Sequence, residues 1–163
     1  MASTAKLSEA QWFGIRFFLI LGGASVLAWA VNLPNRLGAT QRALASTATW
    51  LAGLVGSRGS VYQTQIHVGT LAIDINHECT GVYVLIILFT FLLAYPASWS
   101  QRLRGAAIGT TAVTAVNVLR ISFLVRIAEL QPALFGYFHE YVWQGVFLVL
   151  VIAYAMSWVE GAR

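Results

Sequence analysis

Cys79 is the only cysteine in the chain. It stands between the polar stretch Asn76-His77-Glu78 and an uncharged run from Val82 to Tyr95. A lone thiol forms no internal disulfide, which leaves it the roles of nucleophile, metal ligand or small apolar filler. At the N-terminal end of a helix the dipole favours thiolate. Two further groups stand in comparable places. Arg120 lies well inside an apolar stretch, where a charge costs about 2.5–3.5 kcal/mol at the bilayer centre, and such a charge is a functional candidate by default. His139 directly precedes the last apolar stretch. A thiolate, an imidazole and a guanidinium suit acyl transfer. The thiolate attacks a peptide carbonyl, the imidazole assists it and protonates the leaving amine, and the guanidinium stabilises the oxyanion or the thiolate.

Other readings of the same residues remain open at this point. His77 and Cys79, with His67 and His139, offer nitrogen and sulfur ligands for a metal or haem. That reading leaves Arg120 unexplained, and a nearby cation opposes metal binding, so no metal and no cofactor are expected. A non-catalytic four-helix membrane subunit is the other alternative. Asn117, one turn before Arg120 on the same face, is a candidate to bind substrate or a neighbouring group, or simply to join helices. Glu78, Glu140 and Tyr83 are candidate supporting or substrate-binding residues by adjacency. His77 is the rival base to His139.

The elements that must position these groups are those of an integral membrane protein. The chain of 163 residues is 58% hydrophobic and 10% charged, against about a quarter charged in a soluble domain. The net charge of +4 comes from ten Lys and Arg against six Asp and Glu, with no basic run or patch. Positive charges flanking membrane spans account for it, and no nucleic-acid partner is expected. Apolar stretches at 12–33, 81–99, 105–124 and 141–159 each approach the roughly 20 residues a span requires. Arg16 can snorkel to the interface, and Arg126 can anchor the end of the third span, leaving Arg120 deeper. A signal peptide is the competing reading of the first span: Lys6 and Arg16 would supply its charges, and Ala28-Trp29-Ala30 its cleavage site.

Between the first two spans the pattern changes. Leu37, Leu44, Ala48, Leu51 and Val55 recur on one helical face, which reads as an amphipathic helix over 36–56 lying at the membrane interface. Residues 61–76 alternate in two short runs around Gly69-Thr70, a β-hairpin with a type II′ turn. The expected fold is therefore mainly α: a single polytopic membrane helical bundle over 1–163 with about four transmembrane helices, an interfacial amphipathic helix and a small extracytoplasmic β-hairpin. With four spans, Cys79, Arg120 and His139 fall on one side of the membrane. Arg102 and Arg104 in the tight loop between the second and third spans place that loop in the cytoplasm, so the Cys79 side faces outward.

Three motifs now carry a resemblance. Glu78-Cys79-Thr80-Gly81, Asn117-Val118-Leu119-Arg120-Ile121 and Phe138-His139-Glu140 resemble the Cys-x-Gly, Asn-x-x-Arg and His signatures of the exosortase/archaeosortase family, in the same order on successive spans. The match covers roughly residues 75–160. The Ala94-Tyr95-Pro96-Ala97-Ser98-Trp99 loop and the short chain are most similar to the exosortase H type. The resemblance implies a membrane-embedded cysteine protease or transpeptidase with Cys79, Arg120 and His139 as catalytic residues. It implies substrates that are exported proteins bearing a C-terminal sorting signal: a short motif, a transmembrane helix and a basic tail. It also implies a multi-pass protein of the bacterial inner (cytoplasmic) membrane with its site on the extracytoplasmic face. The acceptor nucleophile is left open. Thr80 stands where the family more often has serine, and the chain has fewer spans than many members.

Overall fold

Pro96 and Ser98 divide the central apolar region of the chain into two very unequal helices. The computed structural model describes residues 8–162; Lys6 and the polar leader before Ser8 lie outside the described residues. Tyr95, held extended by the proline that follows (φ −71°, ψ 138°), ends the helix Val82–Ala94. Three residues later Ser98 opens the helix Trp99–Leu130 with a capping box: its hydroxyl accepts from the Gln101 amide at 3.3 Å, while Gln101 Oε1 accepts from the Ser98 amide at 2.9 Å. Ser8 and Gln11 repeat the device at the start of the helix Glu9–Ala30.

In chain order the elements are α1 (Glu9–Ala30), α2 (Leu33–Arg36), α3 (Gly38–Leu54), β1 (Ser60–Tyr62), β2 (Gln65–Val68), β3 (Leu71–Asp74), a 3-10 turn (His77–Thr80), α4 (Val82–Ala94) and α5 (Trp99–Leu130). A second 3-10 turn (Pro132–Leu134), α6 (Phe135–Tyr137) and a π turn (Phe138–Val142) then lead into α7 (Trp143–Ala162). Three helical segments, Glu9–Ala30, Trp99–Leu130 and Pro132–Gly161, are long and apolar enough to cross a membrane, and α4 is a shorter apolar helix. The protein is thus mainly α and membrane-embedded. Four comparable spans were expected. Instead α4 has 13 residues, about 20 Å of helix, and α5 has 32, about 48 Å. The proline and the serine cap shift the break, so residues assigned to a loop extend α5.

The surplus length of α5 serves a second purpose. Ile121, Val125 and Ala128 on its last turns are buried together with Leu44, Ala45, Ala48 and Ala52 of α3, Ile66 and Val68 of the sheet, and Ile75 just after β3. The alanines of α3 let the two helices approach closely. The apolar face read from the sequence is therefore turned onto α5 over Leu44 and Ala48, while Val55, past the helix end, is exposed. Arg126 closes the unit. It pairs with Glu129 at 2.8 Å and donates to the Gly56 carbonyl at 3.3 Å, and Glu129 accepts from the Arg58 amide at 3.3 Å.

The sheet is three-stranded and antiparallel in the order β1-β2-β3, where a two-stranded hairpin was expected. The second turn matches the expectation: Val68 pairs with Leu71, and Gly69 takes φ +58° at the first turn position. The first turn was hidden. Tyr62 pairs with Gln65 across a reversal in which Gln63 adopts φ +55°. A two-residue reversal shifts the parity of the alternation by one. Tyr62, which an unbroken alternation would put on the face of Ile66 and Val68, is exposed, and Val61 takes the inner face opposite Ile66.

α7 is hydrogen-bonded to α5 at the Trp99 end, whereas at the Cys79 end it meets α5 through ring contacts such as Phe123 against Trp143, centroids 5.7 Å apart. Tyr154 Oη donates to the Gly105 carbonyl at 2.5 Å and Trp158 Nε1 to the Gln101 carbonyl at 3.2 Å. A Cβ at Gly105 would collide with the Trp158 indole, and one at Gly109 would lie 2.6 Å from Leu88 and 2.9 Å from Tyr154. Toward the Cys79 end no residue of α7 is buried, and the space between α7, α4 and α5 opens into a cavity.

Candidate active site

Asn76 builds the turn that carries Cys79. Its side-chain oxygen caps the 3-10 helix, accepting from the amides of Glu78 at 3.0 Å and Cys79 at 3.2 Å. Thr80 braces the other end. Its hydroxyl donates to the His77 carbonyl at 2.7 Å and accepts from the Val82 amide at 3.3 Å, bonds a serine hydroxyl would also make. Gly81 then takes φ +74°, a conformation that favours glycine, and turns the chain into α4. From α5, Asn117 Nδ2 donates to the carbonyl of Cys79 itself at 2.7 Å. Two amide side chains thus grip the Cys79 peptide from both sides, one on its N–H and one on its C=O.

Cys79, Asn117, Arg120 and His139 line one cavity of about 400 Å³, together with Asn76 and Glu78. Its opposite wall is apolar apart from Gln144: Val84 and Ile87 from α4, and Trp143, Phe147, Leu148 and Val151 from α7. The Arg120 guanidinium carbon lies 5.7 Å from the centre of the Phe147 ring, a cation–π contact. Its Nε is buried without a hydrogen-bond partner. Among the described residues the one ion pair is Arg126–Glu129, so Arg120 carries an uncompensated charge at the cavity wall. His139 leaves the π turn with its ring stacked on Phe135, centroids 5.7 Å apart and planes 14° from parallel.

Cys79 is 8% exposed. Burial pushes its thiol above the ordinary range, the Arg120 charge and the Asn76 backbone pull it back, and Glu78 and Asp74 push it further up. The lowering expected from a helix terminus is therefore outweighed. The thiol precedes α4 on a short turn and is largely out of water, which penalises the charged form.

Other candidates fall elsewhere. Tyr83 lines a separate crevice against α1, beside Leu21, Ala28 and Trp29, and stands edge-on to His77 at 6.1 Å. Glu140 is exposed and lines no part of the Cys79 cavity. His77 also lies outside it, and His67 is exposed on β2. Among the described residues no three His, Cys, Asp or Glu side chains are grouped as metal ligands. The sequence reading missed Asn76, Trp143, Phe147 and Val151. Signals for them were present: an Asn before a polar turn is a capping residue, and 143, 147 and 151 follow His139 at intervals of four along one helical face.

The arrangement places a thiol, a guanidinium and an imidazole from three separate elements around a space large enough for a peptide segment, with a largely apolar wall opposite them. No curated protein and no solved structure matches the chain. The profile of the transmembrane exosortases matches residues 3–158, nearly the whole sequence. With that coverage, and with the three motifs meeting at one cavity, the chain belongs to the transmembrane exosortase family.

Proposed function

We propose that this chain is a cysteine transpeptidase of the membrane that cleaves the C-terminal sorting signals of exported proteins through a thioester. The observation that carries the reading is the shared cavity of Cys79, Arg120 and His139. His139 takes the thiol proton, and the Cys79 sulfur attacks the scissile carbonyl carbon. A C–S bond forms and the carbonyl π electrons move to oxygen, where Arg120 stabilises the negative charge. Collapse breaks the C–N bond, and His139 returns its proton to the departing amine. An acceptor nucleophile then displaces the thiolate from the thioester. The apolar wall excludes water from the early steps, which favours transfer to a bound acceptor over hydrolysis.

The site faces the extracytoplasmic side of the bacterial inner membrane in this reading, supported by Arg102 and Arg104 at the opposite end of α5. Asn76 and Asn117 are positioning residues, since both act on the Cys79 peptide. Co-expression with exported proteins carrying a motif, a transmembrane helix and a basic tail tests the proposal. Wild-type chain shortens the substrate and Cys79→Ala does not. Processing that survives Cys79→Ala sinks it, and processing lost in His77→Ala but kept in His139→Ala sinks the assignment of the base.

A further inference from the structure

The Cys79 cavity continues along the bundle. A second cavity of about 540 Å³ begins where the first ends, sharing Ile87 of α4 and Val151 of α7. Phe17, Phe91 and Met156 make its walls apolar. Together the two form a groove between α4 and α7 that none of the described residues covers: Ile87 is 44% and Met156 61% exposed. The far end of the groove carries one charged side chain, Glu160. Glu160 is exposed, and among the described residues it has no ion-pair partner. From His139 to Glu160 the helical segment rises about 32 Å, at about 1.5 Å per residue. That is close to the roughly 30 Å of a bilayer's hydrocarbon core.

We infer that this groove receives an apolar transmembrane helix, seated between α4 and α7, with Glu160 holding a cationic residue at the end of that helix distal to Cys79. The inference rests on the transpeptidase reading and identifies the surface that would read the substrate's helix and tail. An apolar trough facing lipid matches an apolar helix. A carboxylate at its end favours a cation over a neutral or acidic terminus. The groove also sets a length: a helix much shorter than the bilayer core cannot reach the cavity and Glu160 together.

The test uses the full chain with Cys79→Ala in phosphatidylcholine vesicles, so that binding is read without cleavage. A photoreactive benzoylphenylalanine replaces Val151. As a control it replaces Ile108, which is 62% exposed on α5 and lines neither cavity. The probes are two synthetic Leu/Ala helices of about 20 residues, one ending in three arginines and the other in three glutamines. Crosslinking of the arginine helix is expected to be several-fold higher at 151 than at 108, and higher than that of the glutamine helix. Glu160→Gln lowers it by about two- to fivefold, the range of an accessible ion pair, and Glu160→Asp restores it. Equal yields at 151 and 108, equal yields for both helices, or indifference to Glu160→Gln each overturn the inference. Because cleavage plays no part, these failures are distinct from an absence of Cys79-dependent processing.

Discussion

Replacing Asn117 by leucine removes the hydrogen bond that ties the Cys79 turn to α5. Asn117 is 1% exposed, and its Nδ2 donates to the Cys79 carbonyl at 2.7 Å. Leucine keeps the branching of asparagine, with methyl groups bulkier than the amide oxygen and nitrogen that they replace, so some overpacking adds to the cost. A buried carbonyl deprived of its partner costs about 1–3 kcal/mol. Part of this is returned, because Asn117 Oδ1 is itself buried without a partner and its replacement by a methyl is favourable. The net loss is about 1–2 kcal/mol, borne by the turn His77–Thr80 that the bond ties to α5. Opening of that turn exposes the thiol. At 1.4 kcal/mol per factor of ten, the opened fraction rises about 5- to 30-fold. Cys79 is the sole cysteine, so the rate of maleimide alkylation in native membranes reads this one event. Asn117→Leu is expected to raise that rate 5- to 30-fold while cutting turnover, since the same bond positions the proposed nucleophile. Ser122→Ala is the control. It removes a hydroxyl that donates to the Val118 carbonyl of its own helix at 2.7 Å, with no link to the turn. An unchanged rate in Asn117→Leu, or an equal rise in Ser122→Ala, refutes the positioning role.

Four further outcomes are expected. Alkylation of Cys79 follows its thiolate, so burial places the midpoint of the pH–rate profile above the ordinary thiol range. Arg120→Gln removes the charge that opposes burial and moves the midpoint higher still; a profile that does not move contradicts the pairing. The same shift is a stability statement. With a folded value raised above the unfolded one, the thiol contributes stability in full below the ordinary thiol range and loses it as pH rises through the folded value, which a series of thermal melts across alkaline pH will show. Gly109→Val forces a side chain against Leu88 and Tyr154 and is expected to cost about 1–3 kcal/mol. Thermal unfolding in detergent measures this against Gly136→Ala, where nothing lies within 4 Å. Asn76→Ala strips the cap from the Cys79 turn at about 1 kcal/mol, read as faster alkylation with a smaller effect than Asn117→Leu.

The three motif residues were legible because each breaks a rule the surrounding sequence obeys. Arg120 is a charge in an apolar stretch, Cys79 a single thiol at a polar boundary, and His139 an imidazole at the mouth of the last span. Tyr83 and Glu140 were chosen by adjacency, and adjacency is a poor guide on a helix. Tyr83 is four residues from Cys79, yet beyond Gly81 the chain turns and the side chain points to α1. Phe147, more than twenty residues from Arg120, meets it face to face. The first sheet turn escaped notice because polar and apolar residues continue to alternate through Gln63-Thr64, and periodicity does not mark a reversal that composition leaves unmarked.

What the sequence determined by itself is the membrane setting and the chemistry available. Hydropathy sums over local windows, and reactive groups are visible one residue at a time. The capping boxes at Ser8 and Ser98 and the break at Pro96 are equally local, since each depends on residues within one turn. The tertiary structure alone decided how long each span is used and where the thiol titrates. α5 outruns the bilayer because α3 and the sheet bury its last turns, a contact between residues far apart in the chain. The thiol is pushed up because packing removes water from it, and desolvation depends on every neighbour at once. Cys79 was readable as a candidate nucleophile from its position; its burial, and the two asparagines that hold it, exist only after the chain has folded.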